Sequence, residues 1–128
     1  MADAPKLTFF MMLRSAPSWL ALSRQARADF IAATVRPIFA RYQDVSMRFY
    51  DAEAFTGRIT DVAVFETTNL RAYYFLIDAL RDTPFLGLPY FEVVDLVPAI
   101  EDGYQEYTDA LALPGTGREA AAYSWSSP

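Results

Sequence analysis

VSMRFYDAEAFTGRITDVAVFE, residues Val45 to Glu66, is the stretch whose reading decides the fold. It reads as two strands joined by a short turn. Val45, Met47 and Phe49 alternate with Ser46, Arg48 and Tyr50, AEAFTG reverses the chain with Gly57 as its punctuation, and Val62 and Val64 then alternate with Asp61, Ala63 and Phe65. Period-two alternation of β-branched and aromatic residues signals a hairpin. Arg48, Asp51, Arg58 and Asp61 interrupt the apolar pattern. A sheet that carries charge in mid-strand faces water or lines a polar chamber, because unpaired charge is costly to bury.

Upstream, KLTFFMML (Lys6 to Leu13) is apolar on both parities and suits a central strand. Ser23 is placed to cap a helix running to about Tyr42, with Phe30, Ile31, Val35, Ile38, Phe39 and Tyr42 as its stripe. Pro37 interrupts that pattern and should kink the helix or start a second one. Downstream, Thr67, Thr68 and Asn69 are candidate caps for a helix over Leu70 to Arg81, which Pro84 ends. Tyr90 to Val97 reads as a fourth strand, and Pro98 as the first turn of a last helix carrying Ile100, Tyr104, Tyr107 and Leu111. The order is β-α-β-β-α-β plus a C-terminal helix, an α+β, ferredoxin-like arrangement of one antiparallel sheet with helices on one face. Residues 1–113 form that single domain, and 114–128 read as a tail. Two helices leave the other face of the sheet bare. Stacking two such faces hides it, so a C2 homodimer enclosing a chamber is expected.

Composition narrows the chemistry. Apolar residues make up 53%, aromatics 16% and charged residues 21%, a balance that favours extra buried surface at an interface or around a ligand. The net charge is −5 with no Lys/Arg block, so nucleic acid is not an expected partner. There is no cysteine and no histidine, which removes disulfides, thiolate nucleophiles, His-ligated metal or haem, and the commonest general base. The N-terminus lacks a basic region before its short apolar run, and no stretch approaches the ~20 apolar residues that span a bilayer. A cytoplasmic protein with no cofactor and no membrane partner is expected.

Several segments resemble the darcynin family of small bacterial proteins. They are PSWLAL (Pro17 to Leu22), RPIFARY (Arg36 to Tyr42), VSMRFYDAEAF (Val45 to Phe55) with RITDV (Arg58 to Val62), and YFEVVDLVPAIEDGY (Tyr90 to Tyr104). The resemblance spans most of residues 7 to 104 and implies the dimeric α/β-barrel group, which includes cofactor-independent monooxygenases, cyclases and isomerases. Fold and dimer are implied more strongly than any activity.

The alternation supplies candidate site residues. With Val45, Met47, Phe49, Val62, Val64, Val94 and Leu96 toward the helices, the parity gathers Arg48, Tyr50, Asp61 and Asp95 in the enclosed space as catalytic candidates, with Val93 beside them and Phe65 as apolar wall. Trp19 is a core plug or a lid, and Tyr73 packs helix to sheet; with Phe65 they are the substrate-contact candidates. A poorly solvated Asp has its pKa raised while a nearby Arg lowers it, so Arg48 and Asp61 form either a structural ion pair or a ligand-facing one. Two functions follow. One is a cofactor-free enzyme moving protons on a hydrophobic, oxygenated, polyketide- or aromatic-like small molecule, leading to cyclisation, isomerisation or oxygenation. The other is a non-catalytic dimeric module that binds a small molecule or partner.

Overall fold

The computed structural model describes residues 4–112; the expected tail from Pro114 onward lies outside them. The chain runs β1 (Leu7–Ser15), α1 (Pro17–Leu20), α2 (Arg24–Phe30), a π-helical turn (Ile31–Val35), α3 (Arg36–Arg41), β2 (Ser46–Asp51), β3 (Asp61–Thr67), α4 (Leu70–Arg81), α5 (Pro84–Gly87), β4 (Phe91–Ile100) and α6 (Gly103–Leu111). The four strands form one antiparallel sheet in the order β2-β3-β1-β4, the ferredoxin-like topology. Among the described residues no helix is long and apolar enough to cross a membrane.

Local chemistry sets the helix starts. Ser23 accepts from the Ala26 amide at 3.0 Å, and Asn69, the cap chosen from three candidates, accepts from the Ala72 amide at 3.0 Å. Asn69 also donates to Asp44 at 3.0 Å, and the Thr67 hydroxyl donates to the Asp44 carbonyl at 2.9 Å. These bonds tie the approach to β2 to the start of α4. The helix from Arg24 to Arg41 is continuous but widens at Ile31–Val35, where the Arg36 amide donates to the Ile31 carbonyl. Pro37 lies in the first turn of α3 and has no N–H to give residue 33, and its ring crowds that carbonyl, so the ladder opens by one residue.

The core lies between one face of the sheet and the helices. Phe9, Met11 and Leu13 of β1, Ala63 and Phe65 of β3, and Leu76 and Leu80 of α4 are all buried there. Tyr73 stacks on Phe9 with centroids 3.8 Å apart and meets Phe65 edge-on at 5.6 Å. In β2 the expected parity holds, with Met47 and Phe49 toward the helices. In β3 it is reversed. Asp61, Ala63, Phe65 and Thr67 face the helices, while Val62 and Val64 face outward half-exposed. The reason is cross-strand register: Phe65 lies opposite both Phe9 and Met47, and Ala63 opposite Met11 and Phe49, and residues paired across strands share a face.

The fourth strand departs from expectation twice. A bulge puts Val93 opposite Leu13 and Asp95 opposite Met12, so Val94 is the extra residue and the alternation changes phase within the strand. Val93, not Val94, therefore shares the helix side with Leu96. The strand also continues through Pro98 to Ile100, and the last helix starts at Gly103 rather than Pro98. An edge strand tolerates a residue that cannot donate. Tyr104 and Tyr107 are exposed on α6.

Candidate functional site

The register lays the sheet out in rows. On the face away from the helices, Tyr50, Val62, Met12 and Asp95 make one row, and Arg48, Val64, Phe10 and Val97 the next. Arg48 and Tyr50 are neighbours on one edge strand, and the Tyr50 hydroxyl, helped by Glu66, holds the exposed Arg48 guanidinium above its usual pKa. Asp95 lies on the opposite edge strand, three strand spacings or about 14 Å away. These three candidates share a face but do not converge within one protomer.

Asp61 is elsewhere. It occupies the helix side of the sheet in the row Asp51, Asp61, Leu13, Val93, with the β3 layer between it and Arg48. The expected Arg48–Asp61 pair is therefore absent, in its structural and its ligand-facing form alike, because the reversed parity of β3 sends the two side chains to opposite faces. The same reversal moves Phe65 out of the expected chamber.

What the helix side holds instead is a cavity of about 330 Å3. Its floor is Met11, Leu13, Met47, Phe49, Ala63, Phe65 and Phe91 from the sheet; its roof is Trp19, Ile31, Val35, Phe39, Leu80, Phe85 and Leu86. No polar side chain is among them. The small Ala63 leaves room in the floor, and the π turn supplies Ile31 and Val35 to the roof. Single-turn π elements recur at functional sites for this reason: they re-aim side chains that an unbroken helix would place elsewhere.

Trp19 forms one wall. Its ring packs against Tyr90 at 5.2 Å, Phe91 at 5.1 Å and Phe30 at 6.0 Å. Arg27 secures it from α2, donating to the Trp19 carbonyl at 3.2 Å and the Leu20 carbonyl at 3.0 Å, with its guanidinium 5.8 Å from the ring centroid. The plug and the wall are one residue here. Tyr73 does not line the cavity; burial pushes its phenol up to about 12.

Asp61 stands just past one end of the floor, beside Leu13 in the next strand and two residues from Ala63. It is only 6% exposed. The Thr60 hydroxyl donates to its carboxylate at 2.7 Å and accepts from the Ser15 amide at 2.7 Å. Burial pushes the Asp61 carboxyl up to about 6; Thr60 offsets part of this, and Asp51 opposite, with Glu53 beyond, adds to it. Such a group can take or release a proton near neutral pH. Among the described residues no cluster of three His, Cys, Asp or Glu could hold a metal ion.

Sequence reasoning missed both the cavity and Asp51. Asp51 had been noted only as a charge breaking the strand pattern, although its place opposite Asp61 follows once the hairpin register is known.

Comparison with known proteins fits this frame. The chain is 56% identical over 88 residues to Darcynin 1 of Acinetobacter baumannii, covering 69% of this chain and 98% of that protein. It is 56% identical over 78 residues to a darcynin of Chromobacterium violaceum, covering 61% of this chain and 99% of that protein. Among solved structures, a mutant chlorite dismutase of Candidatus Nitrospira defluvii matches with a TM-score of 0.64 at 13% identity, over 85% of this chain and 48% of that one. A chlorite dismutase of Nitrobacter winogradskyi, described as dimeric, matches with a TM-score of 0.56 at 18% identity, over 77% of this chain and 57% of that one. The chain thus spans about half the length of the solved structures it matches, and at such identity the likeness is one of fold alone. The model of a family described as darcynin, a domain of unknown function, matches residues 2–114, and the chain belongs to that darcynin family.

Proposed function

We propose that this darcynin binds a hydrophobic small molecule in the cavity between its sheet and its helices. The observation that carries the reading is a space of about 330 Å3 between sheet and helices, partly open to solvent beside Phe49, with a wholly apolar wall. Close-packed interiors leave few voids larger than a water molecule, and an engineered apolar cavity of about 150 Å3 already admits benzene. The experiment is a titration with naphthalene in a Trp125→Phe background, so that Trp19 in the cavity wall is the one tryptophan reporting. Saturable quenching is expected, and Ala63→Leu, which fills the floor, should abolish it without lowering the melting temperature. Trp125→Phe protein that shows no saturable change sinks the reading.

The working form of this reading is a homodimer joined through the bare sheet face. Phe10 and Val97 are 36% and 44% exposed there, with Val62, Val64 and Met12 between and beside them. Light scattering should give twice the protomer mass for wild type and the protomer mass for Val64→Glu. Wild type at the protomer mass removes the dimer and leaves the cavity untouched.

Asp61 favours a second reading, cofactor-free turnover of the bound molecule by proton transfer, as in isomerisation or cyclisation. Its support is a buried carboxyl with a pKa of about 6 at the end of the cavity floor. Asp61→Asn should then retain ligand and lose exchange of an acidic C–H of that ligand with deuterium oxide. Unchanged exchange overturns this second reading alone.

A further inference from the structure

From the two carboxyls that lie one pleat beyond the floor of the apolar cavity, we infer that the ligand is a lipophilic amine, with its ammonium group seated against Asp61 and its hydrocarbon body in the cavity. This rests on the cavity reading above and names the class of molecule that fits it.

The geometry runs along the helix side of the sheet. Leu13, Phe49 and Ala63 line the floor. Asp61 is paired directly with Leu13 and lies one pleat beyond Ala63; Asp51 lies one pleat beyond Phe49. Residues two apart on a strand face are about 7 Å apart, within the length of an aminoalkyl arm. The first polar groups met on leaving the floor in that direction are thus two carboxyls. Two carboxylates so close repel, and a buried carboxylate without a cation is costly. The groups that act on Asp61 are the Thr60 hydroxyl, Asp51 and Glu53, none of them a cation. Two arginines are held by other partners. Arg14 is bonded to the Arg58 carbonyl and paired with Glu92 at 3.5 Å, and Arg27 is bonded to the α1 carbonyls.

Protonation of Asp61 relieves the repulsion only as the pH falls to its raised pKa. A ligand ammonium would relieve it better, since it also supplies donors to both carboxyls and brings its own apolar surface. A fatty acid or other anion would meet a third negative charge. A neutral alcohol would gain the burial of its hydrocarbon without the charge.

Three probes with one hydrocarbon body separate these cases: 2-(1-naphthyl)ethylamine, 2-(1-naphthyl)ethanol and 1-naphthylacetate, titrated calorimetrically into the full chain at pH 7.5 and pH 5. At pH 7.5 the amine should bind at least tenfold more tightly than the alcohol, and the carboxylate most weakly. At pH 5, where Asp61 holds its proton, the amine should lose most of that advantage while the alcohol changes little. Asp61→Asn should bring amine and alcohol to within about threefold of each other at pH 7.5, with alcohol affinity retained. The comparison of probes on wild-type protein stands whether or not that variant folds. An alcohol or carboxylate that binds as tightly as the amine overturns the amine inference and leaves the cavity reading in place. Failure of all three to bind overturns both.

Discussion

Replacing Asp61 by Asn should stabilise the protein at neutral pH, and the size of the effect follows from the carboxyl's surroundings. Folding lifts this group from an ordinary value of 3.8 to about 6, chiefly by burial and then through Asp51. The folded state therefore binds the Asp61 proton more tightly than the unfolded chain does. Stability on this account is greatest below about pH 4, falls as pH rises from about 4 to 6, and is flat above that. At full strength such a shift corresponds to about 3 kcal/mol; water reaching the rim of the hairpin reduces this to roughly 1–2 kcal/mol. Asn keeps the useful contacts, because its carbonyl can accept from Thr60 and its amide can donate to Asp51. Urea midpoints for wild type and Asp61→Asn, measured from pH 4 to 8, give the difference directly and cancel contributions from other groups. The variant should be more stable by roughly 1–2 kcal/mol at pH 7.5, and the gap should close by about pH 4. A variant that is instead less stable at pH 7.5, with wild type gaining stability between pH 4 and 6, would mean that Asp61 is paired with a cation. The helix-side placement argued above would then be wrong.

Arg48→Ala should leave stability within about 0.5 kcal/mol in thermal melts of the monomeric Val64→Glu protein, because in the single protomer the side chain is exposed. Asn69→Ala should cost about 1–2 kcal/mol in a urea titration, since it removes the α4 cap and the bond to Asp44 together. Gly87→Ala should lower stability by about 1–3 kcal/mol, because the added methyl would press into the Arg81 backbone carbonyl, which has little freedom to retreat. Calorimetric melting would detect it.

The element order could be read from the sequence because each element has its own local signal: the alternation of β2, Asn69 ahead of the Leu70–Arg81 stripe, the Ser23 cap and the break at Pro37. Facing was harder. Val62, Ala63, Val64 and Phe65 are apolar on both parities, so the pattern of β3 alone gives no direction, and its pairing with Phe9 and Met47 decides the matter. In β4 the bulge at Val94 changes phase where a strict count of two does not. Asp61 is a desolvated carboxyl, but it lies on the other side of the sheet from the one the alternation suggests and beside Asp51 rather than Arg48. The cavity has no linear signature. Its wall comes from Met11 to Phe91 across several elements, and an apolar residue bordering a void looks in the sequence like one that fills it.

The extra residue in the Ile31–Val35 turn reaches further than its own hydrogen bonds. Each residue of an α-helix advances about 100° around the axis, so removing one member of that turn would rotate everything on its N-terminal side by about that angle relative to Phe39. Arg27 would swing off the Trp19 carbonyl, and the tryptophan would lose its brace. Ala32 and Ala33 are exposed, so the extra residue is accommodated on the solvent side of the helix. The roof of the cavity therefore depends on the length of this one turn as well as on the side chains that line it.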